Sequence, residues 1–103
     1  MEDMKIDVGV YTALTVNLSK VNFENITSIV LTIKNSINPG SPIIIERTYT
    51  EAAVHPLVIT PEESLQLAAG AMYDFNKIDK DGQRFKITDN GKIVLRRGVG
   101  DCV

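Results

Sequence analysis

Short runs in which apolar and polar residues alternate recur along this chain, and that period of two constrains the fold more than any single motif. In TALTVNL, Leu14, Val16 and Leu18 alternate with Thr15 and Asn17. In TSIVLTIK, Ile29, Leu31 and Ile33 point one way, while Val30, Thr32 and Lys34 point the other. Each such run predicts a strand with one face in a core and the other toward solvent. The loop SINPGSP ends the second run, because proline cannot donate to a central ladder. PIIIERTY and HPLVIT supply two further strands, with Leu57 and Ile59 on one side of the latter.

The period changes at Thr60-Pro61-Glu62-Glu63. A capping threonine, proline at the first helical position and glutamate three residues after the threonine form a capping box. Gly70 reads as the left-handed cap that closes the segment. A helix of about two turns is too short to persist alone in water. Leu65 with Ala68 or Ala69 is therefore expected to pin it to a sheet edge.

Alternation returns in AMYDFNKI, where Tyr73 and Phe75 share a side, and continues in RFKIT and KIVLR. Asp81-Gly82 and Asn90-Gly91 separate these three runs; such pairs tolerate the positive φ that type I′ hairpin turns require. They predict a three-stranded antiparallel meander over residues 71–97. The result is an all-β chain of seven to eight strands with one short helix near residues 61–69. Its expected form is two packed antiparallel sheets in a single domain over residues 1–103. At 103 residues and 44% hydrophobic, such a domain can bury a core without covalent staples.

The stretch NKIDKDGQRFKIT resembles a calcium loop. With Gly82 sixth, Asp79 and Asp81 fall at the third and fifth positions. Lys77 then stands first, where a carboxylate should be, and Thr88 stands twelfth, where a glutamate should supply two oxygens. A hairpin turn accounts for Asp81-Gly82 without an ion, so Asp79 and Asp81 are a weak calcium candidate.

Other chemistry is sparse. His55 is the only histidine, and Cys102 the only cysteine, so no intrachain disulfide is possible. The carboxylate pairs Glu62-Glu63, Asp79/Asp81 and Glu2-Asp3 have structural reasons at a helix start, a turn and a terminus. No phosphate loop, nucleophile elbow or dinucleotide fingerprint occurs, and the GVGD stretch has too few glycines. The expectation is a chain with no catalytic residues and no cofactor. The acidic N-terminus lacks a basic region followed by an apolar run, and no window reaches the length of a membrane span. Cytoplasmic synthesis without a signal peptide, and no membrane partner, follow as expectations.

Charge is distributed unevenly. Residues 1–76 carry four Lys/Arg against nine Asp/Glu, whereas residues 77–97 carry seven against three. If Phe85, Ile87, Ile93 and Leu95 face the core, then Arg84, Lys86, Lys92 and Arg96 share the opposite face. That face suits an acidic protein surface; without interleaved aromatics it does not suit nucleic acid. Val30, Ile44, Val58 and Val94 fall on the polar sides of their strands, as a second small core, edge cover or a subunit contact. Val30, Ile44 and Val94 therefore join the four basic residues as partner-binding candidates.

The run TPEESLQLAAGAMYDF, followed by DG, NG and KIVLRRGVGD, resembles small immunoglobulin-like domains of phages and prophages of Gram-positive bacteria, including the N-terminal domain of baseplate upper proteins. Glu62, Glu63, Leu67, Gly70, Tyr73, Phe75, Gly82, Gly91 and Val99 carry the likeness, over roughly the last forty residues. Tyr73 also resembles the tyrosine before strand F of immunoglobulin domains, with Phe75 in place of the cysteine that would follow. The resemblance implies an immunoglobulin-like β-sandwich, with no catalytic residue. It implies a structural part of a tail or baseplate that associates with itself or with other virion proteins. The alternative is a small ligand-binding module for carbohydrate or for calcium-dependent recognition.

Overall fold

The structure is a computed structural model that describes residues 3–36, 38, 40–87 and 90–96. The expectations placed on Glu2, Thr88, Arg97, Val99 and Cys102 lie outside those residues. Eight strands and one helix form among the described residues. In chain order they are β1 (Met4–Asp7), β2 (Thr12–Asn17), β3 (Ile26–Lys34), β4 (Ile43–Tyr49), β5 (Val54–Ile59), α1 (Pro61–Leu65), β6 (Met72–Asp79), β7 (Arg84–Lys86) and β8 (Gly91–Arg96). The all-β class holds.

The larger sheet runs β1-β8-β6-β3-β4, with β7 also paired to β6; β2 and β5 form a second, two-stranded sheet. β3 is the axis of the larger sheet. It pairs antiparallel with β4 from Ile29↔Tyr49 onward and with β6 along nearly its whole length. One of its faces places Ile29, Leu31 and Ile33, each at most 1% exposed, against Val16, Leu57 and Ile59 of the small sheet. Burying one such side chain contributes about 1.5–3 kcal/mol, so this row dominates the core.

Not every pairing is antiparallel. β1 lies parallel to β8, with Ile6 opposite Leu95 and Asp7 opposite Arg96. Parallel strands need a long connection, and the whole intervening chain supplies it. MKID is too short for alternation to reveal alone, yet it buries Ile6 completely.

The expected meander is also different. β7 and β8 do not pair with each other; both lie along the same edge of β6. Asn76 pairs with Lys86 and Tyr73 with Gly91, so three steps along β6 match five along its partner. Asn90-Gly91 therefore sits where the register along β6 shifts by two residues between β7 and β8, and is not a hairpin turn. Gly91 is needed for another reason. It lies under the buried Tyr73 ring, and a Cβ there would overlap that ring. Tyr73 is wedged edge-on against Phe75, at 6.1 Å between centroids, which holds the ring in place.

The turn between β6 and β7 is real but of another type. Gly82 has φ +83°, while no described non-glycine residue has a positive φ, which excludes type I′. The Gly82 N–H donates to the Asp79 carbonyl at 3.1 Å, and the Asp79 N–H to the Gln83 carbonyl at 3.0 Å. This is a type I-like turn closed by a left-handed glycine.

The capping box forms as expected. Thr60 Oγ1 accepts from the Glu63 N–H at 3.2 Å, and Glu63 Oε1 accepts from the Thr60 N–H at 3.1 Å. The helix is shorter than expected, and different residues anchor it. Leu65 is 57% exposed, and Ala68 and Ala69 are exposed; Ser64 and Leu67 are buried instead. The Ser64 hydroxyl donates to the Pro61 carbonyl at 2.8 Å and accepts from the Gly9 N–H at 2.9 Å, tying α1 to the β1–β2 turn. The Asn35 amide holds the segment after α1 through Gln66 and Ala68. Gly70, at φ +91°, belongs to a separate turn closed by the Ala71 N–H on the Ala68 carbonyl.

Two stability effects follow. Gly91→Ala should destabilise the fold by about 1–3 kcal/mol through overpacking against Tyr73, measured by urea denaturation. Tyr49 buries a hydroxyl that has no partner among the described residues. Removing that desolvated group in Tyr49→Phe should leave the melting temperature unchanged or raise stability by up to about 1 kcal/mol.

Candidate functional site

The outer face of the larger sheet, away from the core, gathers the polar side chains. Residues paired across neighbouring strands share a face. Register thus places Lys86, Asn76, Val30 and Thr48 in one row, and Asp74, Thr32 and Glu46 in the next. An open cleft of about 380 Å³ lies on this face, walled by Thr32, Lys34, Ile43, Met72, Arg84 and Lys86.

Its charges are arranged by local contacts. Lys86 Nζ donates to Asn90 Oδ1 at 2.6 Å and lies 3.9 Å from Asp74 Oδ2. Asp74 also accepts from Asn76 Nδ2 at 3.1 Å, which holds the carboxylate against the sheet. Arg84 reaches across the face to the Thr32 hydroxyl at 3.3 Å.

The seven partner-binding candidates divide. Arg84 and Lys86 come together on the cleft. Lys92 is the cross-strand partner of Met72 and is exposed beside the cleft without lining it. Arg96 is drawn away to Asp7, with Nε on Oδ1 at 2.9 Å and Nη2 on Oδ2 at 3.1 Å. Val94 sits opposite Lys5 and is 36% exposed. Val30 is only 4% exposed, because it lies on the central strand between two neighbours and beneath the polar layer that Arg84 crosses. It has no surface to offer a partner, which corrects the sequence expectation. Ile44 is half-buried and packs against the core cluster, as the small-core reading of its position allows. Ile43 is the outward residue there, at 48% exposed, because the β3–β4 pairing skips Ile44 between Ile33↔Ile45 and Lys34↔Ile43.

Phe85 and Ile87 were expected in the core but are 44% and 42% exposed. They lie on the core side of a sheet that overhangs its partner. Two strands at about 4.8 Å spacing cannot cover six. Lys77 lies over the Phe85 ring at 5.6 Å instead.

The acidic turn uses its oxygen internally. Asp79 Oδ1 accepts from the Asp81 N–H at 2.9 Å and the Gln83 N–H at 2.8 Å. Among the described residues, no three His, Cys, Asp or Glu side chains come together to hold a metal ion. His55 packs on Tyr49 at 4.8 Å between centroids, with Nε2 2.7 Å from the Glu51 carbonyl oxygen. Burial pushes the Tyr49 phenol above its ordinary pKa, against the pull of the Arg47 guanidinium.

A third charge pair links the two layers. Arg47 on β4 reaches Glu63 on α1, with Nη2 2.9 Å from both carboxylate oxygens, and the Val58 carbonyl of β5 at 3.3 Å. Burial works against the Glu63 charge, but the Thr60 N–H and the Arg47 guanidinium outweigh it and hold the carboxyl below its usual pKa.

No protein-family model matches this chain, and no curated protein matches it. Among the described residues, no helix is long and apolar enough to cross a membrane.

The Glu63 carboxylate makes an acid-side prediction. A lowered folded-state pKa adds stability that is present above the unfolded value of about 4.3 and lost as pH falls through the folded value. Glu63→Gln keeps the capping geometry but loses the charge. It should be less stable at pH 7 by on the order of 1 kcal/mol. Thermal melts should show it losing less than the parent does between pH 5 and about pH 3.

Proposed function

We propose that this chain is an immunoglobulin-like β-sandwich acting as a non-enzymatic docking module, a small part of a phage or prophage tail or baseplate assembly. The strand order supports the immunoglobulin-like reading. In such domains strands C, F and G are neighbours, an added C′ extends that sheet, and B pairs with E in the other. Here β3, β6 and β8 run in that sequence, β4 flanks β3, and β2 pairs with β5. The link to tails and baseplates rests on the resemblance of residues 60–101 to phage-encoded domains.

The observation that carries the docking role is the outer face of the larger sheet. It is a broad polar surface with a cationic cleft, flanked by exposed Ile43 and half-buried Met72. Charge on such a face steers a partner and fixes its register, and apolar flanks add contact area. The partner is another copy of the chain or another protein of the same assembly.

Molar mass by size-exclusion chromatography with light scattering, over a concentration series, tests self-association. Association should rise with concentration and be abolished in Arg84→Glu/Lys86→Glu. A monomer at every concentration would exclude a second copy as the partner. Association that the double reversal leaves unchanged would remove the outer face from the interface.

A further inference from the structure

The three described arginines are treated very differently by the fold. Arg47 grips both oxygens of Glu63, and Arg96 both oxygens of Asp7. Arg84 has no carboxylate among the described residues; its one hydrogen bond is to the neutral Thr32 hydroxyl, at 3.3 Å. A guanidinium is a planar fork of donors suited to a carboxylate, and one hydroxyl leaves most of that capacity unused. The cleft in front of it is the place where a carboxylate can reach.

The surroundings favour an anion. Lys34 follows Thr32 by two residues on the same face, about 7 Å along the strand. It makes no ion pair among the described residues and lines the same cleft. Lys86 is partly compensated by Asp74, and Asp74 is held by Asn76, so the one lining carboxylate among the described residues is already engaged. Among the described residues, two cations are left uncompensated at the Thr32 end. Ile43 and Met72 wall that end and offer apolar contact to a short methylene arm.

We infer that Arg84 and Lys34 form the receiving site for an Asp or Glu side chain of an acidic peptide segment on a protein partner. The carboxylate takes the Arg84 fork, with Lys34 beside it, while the methylenes lie on Ile43 and Met72. Lys86 stays with Asp74 and Asn90 and shapes the cleft wall. This inference rests on the docking reading of the face, but its chemistry can be measured apart from assembly.

The probe is a fluorescently labelled hexaglutamate peptide, followed by anisotropy at about 20 mM salt, where surface charge is weakly screened. The parent chain should bind it saturably. Arg84→Gln should weaken binding by about tenfold, as expected for a lost charge-assisted hydrogen bond. Arg84→Lys should be intermediate, keeping the charge without the fork, and Lys34→Gln should also weaken binding. Lys92→Gln, a nearby cation outside the cleft, should stay within about twofold if the effect is specific. Thermal melts confirm that each variant is folded. Amide chemical shifts in the parent should move at Thr32, Lys34 and Met72.

Absence of saturable binding would overturn the inference. So would equal losses in Arg84→Gln and Lys92→Gln, which would mean diffuse attraction only. Inorganic phosphate displacing the peptide more effectively than glutarate would also overturn it, reassigning the cleft to phosphate. Peptide binding by a strictly monomeric chain upholds the site while ending self-association. Assembly without peptide binding sinks the site and leaves the docking module standing.

Discussion

The rest of the structure depends on β3 being hydrogen-bonded on both edges and covered on both faces. Its inward residues, Ile29, Leu31 and Ile33, organise the core, and its outward residues Ser28, Val30 and Thr32 are buried as well. A strand so enclosed cannot slip by one residue without turning its isoleucines into a polar layer. That fixes the register of β4 and β6, and through β6 the positions of β7 and β8. The cleft is a product of the same constraint, since its cations are presented by strands whose register β3 sets.

The two layers are unequal in width. A two-stranded sheet cannot cover the larger one, so β7 overhangs with Phe85 and Ile87 partly in solvent. Polar contacts also join the two layers. Arg47 bridges β4 to α1 and β5, and Ser64 ties α1 to the turn after β1. Both link segments far apart in sequence.

Much of the architecture was legible because its cause is local. Alternation marked β2 to β8, and Thr60 to Glu63 announced the capping box that formed. Asp81-Gly82 correctly marked a turn, although a left-handed glycine alone, and not a type I′ pair, makes it. β1 escaped notice because four residues carry too little alternation to stand out. Asn90-Gly91 misled because the same dipeptide suits a hairpin turn and a strand start beneath an aromatic ring. Only the placement of Tyr73 across the sheet distinguishes them. For the site, sequence identified Arg84 and Lys86 but grouped them with Arg96, which a distant Asp7 captures. It placed Lys34 on the outward side with Thr32 but did not single it out, because only the tertiary structure brings Arg84 across to that face.

By itself the sequence determined which segments are strands, where the helix begins and that positive charge concentrates after residue 76. Each of these is set by side chains within a few residues of one another. Tertiary structure alone decided that the first strand lies parallel to the last. It also decided that Val30 is covered and that, of the three described arginines, Arg84 is left without a carboxylate. Those outcomes depend on which remote segments become neighbours, and the packing of the β3 core selects them.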